Sequence, residues 1–164
     1  MLRDKSLIPL SHQHQHALAL CVRIERAAPI PENNLSAWQS EIAQIFQAEI
    51  AIHFDAEEKL IFPSARRFET LASLVEELLD DHASLRESFN RAEKGNMNAA
   101  ELTEFVKKLS AHIRKEERQL FERMQELMSS EQLASLGAQV EAALKNATRA
   151  CVLPNEATRL RAAK

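Results

Sequence analysis

Tyrosine is absent from this chain, and glycine and cysteine occur only twice each. The missing tyrosine excludes tyrosyl-radical chemistry. With two glycines and five prolines, turn positions are few, which favours long helices over many short strands. Cys21 and Cys151 do not make a disulfide framework. No run of about 18 apolar residues occurs, so no segment is expected to span a membrane. The opening MLRDKSLIPL lacks a long apolar stretch followed by a small-residue cleavage site, so it does not read as a secretory signal. The expected compartment is therefore the cytoplasm. An excess of positive charge is missing too. Lys and Arg number 21 against 24 Asp and Glu, a net charge of -3, so no basic field exists to attract nucleic acid.

What is present is ordinary globular material, 45% hydrophobic and 27% charged. A length of 164 residues suits one domain over residues 1–164 better than two. Helical periodicity appears in five segments. The first is expected from Ser11, read as an N-cap, to about Ala28, before Pro29 and Pro31. The second is expected from Leu35 or Ser36 to Phe62, stopped by Pro63. The third runs from about Thr70 to Glu93, ahead of Lys94-Gly95-Asn96. The fourth covers about Ala99 to Met128, and the fifth about Ser130 to Ala150, limited by Pro154. The tail 151–164 is short and basic and is expected to fray. Short connections between the first four helices imply an all-α, up-down-up-down four-helix bundle over about residues 7–128, with an additional C-terminal helix.

The apolar stripes carry unusual polar residues. They read His14, Leu18, Cys21, Ile24 and Ala28 on the first helix, and Ile42, Phe46, Glu49 or Ile50, His53, Glu57 and Leu60 on the second. The third gives Leu71, Val75, Leu78, His82, Leu85 and Phe89, and the fourth Phe105, Leu109, His112, Glu116, Leu120 and Leu127. Each stripe holds a histidine, and two add a glutamate one turn later on the same face. A buried carboxylate without a partner costs several kcal/mol or a large pKa shift. Metal cations compensate that charge and accept neutral imidazole as a ligand. Four histidines and two carboxylates suit two ions, each with two histidines, with both carboxylates bridging. A lone histidine on such a stripe is more often a hydrogen-bonded core residue, but four aligned histidines with two His-x3-Glu pairs are hard to reconcile with that.

The chain also repeats itself. The segment from His53 to Phe62 matches the segment from His112 to Phe121 at the histidine, at both glutamates (Glu57-Glu58 and Glu116-Glu117) and at the phenylalanine. Each is preceded by a segment with one histidine, His14 or His82, ahead of a leucine-rich face. The pattern reads as a duplicated helical hairpin whose two halves meet around a central site.

This arrangement resembles the hemerythrin-like, or HHE cation-binding, family: His on helices one and three, His-x3-Glu-Glu on helices two and four. The resemblance covers about residues 7–128. It implies a non-haem centre of two iron ions, with manganese or zinc as other candidates. It also implies interaction with oxygen, nitric oxide or peroxide, or the sensing of iron or redox state. A sensor or store acting through a partner protein, or a homodimer, with the C-terminal helix or tail as the contact surface, is an alternative expectation. An oxidase or repair enzyme is a third implied reading. Carried over residue by residue, the metal ligands are His14, His53, Glu57, His82, His112 and Glu116. Oxygen-carrying hemerythrins place a second histidine four residues after the one on helix three, where this chain has Arg86. They place an aspartate five residues after the helix-four histidine, where this chain has Glu117. The chain thus resembles a four-histidine branch.

Other residues near the pattern are assigned blander roles. His12 and His16 fall on a flank with Arg23 and are expected to be solvated or to stand behind a ligand. Glu58 and Glu117 are expected on a solvated face. Glu49 either orients His53 or lies at the surface. Cys21 reads as a small core residue. No His-Glu-x-x-His, Glu-x-x-His, Cys-x-x-Cys, Gly-x-Gly-x-x-Gly or phosphate-binding loop occurs.

Overall fold

A computed structural model of the chain describes residues 2–145, 147, 157 and 158. Among them are five long helical runs and no strand. Helix α1 is Ile8–Ala27. Helix α2 spans residues 35–65 without a break: α-helical Leu35–Ile45, Ala51–Ala56 and Phe62–Ala65 are joined by π turns at Phe46–Ile50 and Glu57–Ile61. Helix α3 is Glu69–Glu93. Helix α4 spans residues 99–127, with a π turn at Glu116–Leu120 between Ala99–Lys115 and Phe121–Leu127. Helix α5 is Ser130–Leu144.

Cross-helix pairs fix the directions. Between α1 and α2, Gln13 meets His53, His16 meets Glu49 and Arg23 meets Glu41, so one number rises as the other falls. Between α2 and α3 the pairs are Arg66 with Glu76, His82 with Glu58 and Arg86 with Asp55. Between α3 and α4 they are Lys115 with Glu77, His112 with Asp81 and Lys108 with Ser84. Every neighbouring pair is antiparallel, which is the up-down-up-down bundle.

The helix ends follow local chemistry. Asn98 and Ser129 each accept from the backbone three residues on, and Glu101 and Gln132 return the bond, making two capping boxes. Helix α3 stops where Gly95 adopts φ 69°. There Gly95 N–H bonds Ala92 and Asn96 N–H bonds Arg91, as in a Schellman motif.

Three expected boundaries move. Helix α1 begins at Ile8 rather than Ser11, because Pro9 sits in the first turn, where its missing N–H costs nothing. Ser11 is therefore inside the helix and caps nothing. Helix α2 continues past Pro63 to Ala65, because the π turn at Glu57–Ile61 restarts the α-helix at Phe62 and again leaves proline in a first turn. Helix α5 ends at Leu144, and Lys145 forms a turn. Residues 146 and 148–156, with Cys151 and Pro154, lie outside the described residues. In the tail expected to fray, Thr158 is buried and its carbonyl accepts from Arg23.

The core lies in two parts. One cluster, from Ala17, Ile50, Leu85 and Leu109 outward, fills the end of the bundle around Trp38 and Phe105. The other, from Leu10, Ile61, Leu78 and Leu120 outward, fills the end covered by Leu136 and Val140 of α5. Between them α1, α2, α3 and α4 together contribute one polar layer: His14 follows Leu10, His53 and Glu57 precede Ile61, His82 follows Leu78, and His112 and Glu116 precede Leu120. Among the described residues no helix is long and apolar enough to cross a membrane.

Candidate metal centre

The six residues singled out from the sequence meet in that layer, all of them buried. They form two overlapping groups. His14, His53, Glu57 and Glu116 make one, and Glu57, His82, His112 and Glu116 the other, with the ligand-type atoms of each group within 4.8 Å of one another. Both glutamates belong to both groups. Nε2 of His53 lies 3.1 Å from Glu57, and Nε2 of His112 lies 3.3 Å from Glu116, each pair one helical turn apart. Nε2 of His14 is 3.1 Å from Glu116, and Nε2 of His82 is 3.4 Å from Glu57. Each lone histidine thus reaches the glutamate of the hairpin facing it.

Both glutamates open a π turn, Glu57–Ile61 and Glu116–Leu120. A π turn inserts an extra residue into the helical winding and is frequent at functional sites. Its recurrence at equivalent places in the two repeats keeps the halves alike.

The imidazole Nδ1 atoms point away from the centre, and each faces an acceptor. Glu117 Oε1 accepts from His14 at 2.6 Å, and Glu58 Oε1 from His82 at 2.8 Å. Gln13 Oε1 accepts from His53 at 2.8 Å. Asp81 stands 3.4 Å from Nδ1 of His112, an ion-pair distance. A donor hydrogen on Nδ1 leaves Nε2 free to bind a cation. Arg3 holds Glu117 at 2.7 Å, and Arg86 holds Glu58. Arg86 therefore serves the site from behind: it bonds Glu58 and Asp55 and lies over the Phe54 ring.

Glu58, Glu117 and Glu49 differ from expectation, whereas His12, His16 and Cys21 lie where they were expected. Glu58 and Glu117 are half-buried and hold ligand-type histidines. Glu49 is buried and bonds His16 at 2.9 Å, while Gln13 is the acceptor at His53, so neither the surface role nor a hydrogen bond orienting His53 is found. His12 is exposed, and His16 is largely so. Leu18 is half-buried and Ala28 exposed, whereas Ala17 faces the core. Cys21 is a core residue whose thiol pKa burial pushes up to about 11. Gln13 and Asp81 were not singled out. One signal existed: each immediately precedes the lone histidine of its repeat.

The electrostatics show what the layer lacks when only protons are available. Burial opposes charge on His14, but the adjacent Glu116 carboxylate and the hydrogen bond to Glu117 overcome it and raise its pKa to about 10. Burial likewise opposes charge on His112, yet Glu116 and Asp81 raise it to about 9. Burial lowers His53 to about 3, and the charge of His14 helps. Glu57 is raised to about 7 by burial and by Glu116. Glu116 is lowered well below the usual range, because His112 and His14 outweigh its burial. Even so, all four carboxylate oxygens of Glu57 and Glu116, and Nε2 of both His82 and His112, are buried without a hydrogen-bond partner. Native interiors rarely leave such groups unpaired, and cations would pair all of them.

Residues 9–124 match the family described as the hemerythrin HHE cation binding domain. The chain belongs to that family. No curated protein and no solved structure matches it significantly. The hemerythrin-like domain is a cation-binding unit, and in this member the buried His/Glu clusters have the chemistry for a metal.

Proposed function

We propose that the protein holds two iron ions in this layer and uses them to bind or react with oxygen, nitric oxide or peroxide. One observation carries the reading: the oxygens of Glu57 and Glu116 are buried, lack hydrogen bonds and belong to both four-residue groups. In this reading His14 and His53 would hold one ion and His82 and His112 the other, with Glu57 and Glu116 available to both. Manganese or zinc would satisfy the same donors, and the family resemblance favours iron. A bound iron pair supplies redox electrons to a small ligand. The chain's own residues do the rest. Glu117, Glu58, Gln13 and Asp81 fix the imidazoles. The apolar clusters on both sides keep bulk water away.

Elemental analysis of protein purified under iron-replete conditions tests the reading. Two iron atoms per chain are expected, and saturation at one ion, or no iron, defeats it.

A second reading, a sensor of iron or redox state acting through a partner protein, is favoured by one feature. Helix α5 packs on residues 51–61 of α2, the stretch that carries His53 and Glu57. A change at the site would reach α5 directly. Metal-dependent protease sensitivity within residues 130–164 would support it.

A further inference from the structure

Three of the four imidazoles have an ion pair behind them. Glu117 at His14 is held by Arg3, and Glu58 at His82 is held by Arg86. Asp81, 3.4 Å from Nδ1 of His112, is held by Lys115 at 2.5 Å, and Lys115 also bonds Glu77. His53 is the exception. Its Nδ1 meets the uncharged side chain of Gln13 at 2.8 Å, and the carboxylate one turn before it, Glu49, bonds His16 instead.

The internal duplication locates the difference. Glu58 and Glu117 correspond and are alike. Gln13 and Asp81 also correspond, since each directly precedes the lone histidine of its repeat, and they are unlike. Lys115 lies three residues after His112, and three residues after His53 stands Ala56, which is buried. Both members of the Asp81 and Lys115 pair are thus replaced on the other half, one by an amide and one by a methyl group.

The replacement changes how firmly the imidazole is prepared as a ligand. A carboxylate only accepts hydrogen bonds, so it keeps the proton on Nδ1 and leaves Nε2 for a cation. It also makes the imidazole more basic. A side-chain amide brings no charge, and turned over it donates to Nδ1 and moves the imidazole proton to Nε2, the wrong place for ligation. We propose that Gln13 makes the two metal positions unequal, so that the His14 and His53 pair holds its ion more weakly than the His82 and His112 pair. The protein would then exchange one ion while keeping the other. Gln13 and Asp81 are positioning residues in this scheme, acting through His53 and His112. The inference rests on the di-metal reading above.

The test titrates iron(II) without oxygen into the metal-free full chain against a chromophoric chelator, comparing wild type with Gln13→Glu and Asp81→Asn. Helicity is measured first. Two cations repel each other, so unequal steps are expected of any close pair, and the variants decide. Gln13 is half-buried, so a charge placed there keeps some water. Gln13→Glu should strengthen the second step about tenfold and leave the first within about twofold, a gain that damage to the fold would not produce. Asp81→Asn should weaken the first step about tenfold and leave the second within about twofold. A second step that is unchanged or weaker in Gln13→Glu, with two ions bound, overturns the inference and leaves the di-metal reading standing. Fewer than two ions in wild type overturns both. Should Gln13→Glu fail to fold, Asp81→Asn decides: a weakened first step supports the inference, and an unchanged one refutes it.

Discussion

Nε2 of His14 stands 3.0 Å from Nε2 of His53. Two nitrogens bound at about 2.1 Å to one ion, at right angles, stand about 3.0 Å apart. The pair is thus spaced as adjacent ligands of one cation. Without a cation, a proton must hold the two nitrogens together. His14, raised to about 10, donates it, and His53, lowered to about 3, accepts.

Metal binding should therefore release protons. Ligation needs neutral imidazole. At pH 7 the metal-free His14 and His112, raised to about 10 and about 9, carry protons that a cation must displace. Calorimetric titration in buffers of different ionisation enthalpy should show release of at least one proton per chain and affinity that rises with pH. Heats independent of the buffer would contradict this.

The metal-free protein should lose stability as pH rises above about 6.5. His14 and His112 have folded-state pKa values above the ordinary 6.5, so their contribution is complete below that pH and is lost as pH passes about 9 and about 10. Glu57, raised to about 7, acts in the same direction. Glu116 is lowered and has finished titrating in this range, and His53, lowered to about 3, adds only the end of its unfolded-state titration just above 6.5. Thermal melts followed by circular dichroism should show Tm falling from pH 6.5 to 9.5 without metal. The metal-free chain should be helical at the start of that series, since two apolar clusters remain. A flat profile would count against the assigned protons.

The glutamates should act on both ions at once. Glu57→Ala or Glu116→Ala is expected to weaken both binding steps, whereas His53→Ala weakens one. Competition titrations with a chromophoric chelator distinguish the cases. Two independent steps in Glu116→Ala, one of wild-type strength, would exclude a bridging role.

Glu58→Gln and Glu117→Gln keep an acceptor at Nδ1 but remove its charge. Each should lower metal affinity by about 10–100-fold, the usual effect of altering the group behind a histidine ligand. Chelator competition measures it, and wild-type affinity in both variants would show that these carboxylates are only surface charges.

Oxygen should oxidise the reduced, iron-loaded protein without forming a long-lived reversible complex. Arg86 occupies the place where an oxygen-carrying hemerythrin has a further histidine, and here it is committed to Glu58 and Asp55. Neither ion then gains a third histidine. Stopped-flow absorbance after mixing with oxygen should show irreversible oxidation. A complex that lasts for hours and dissociates when oxygen pressure drops would refute the expectation.

Much of the fold was legible in one dimension. Leu71, Val75, Leu78, His82, Leu85 and Phe89 recur at three- and four-residue steps and are all buried on one face of α3. The helix ends at Asn98 and Gly95 follow bonding confined to a few neighbouring residues. Pro63 was misread because proline was judged against a uniform α-helix, and a π turn changes the winding ahead of it. Ala17 was missed in favour of Leu18 because hydrophobicity alone does not say how far a helix is rotated about its axis.

The sequence by itself determined which six residues share the polar layer, since His-x3-Glu puts two donors on one helical face and duplication supplies the facing pair. Only the tertiary structure decided what stands behind each imidazole. Gln13 meets His53 across 40 positions, and Glu117 meets His14 across 103. Such pairings depend on the axial register and rotation of separate helices, which are set by packing of the two apolar clusters rather than by any local pattern. A small cavity lined by Ala17, Ile50 and Leu109 arises in the same way, from side chains on three helices that face one another only after the bundle has closed.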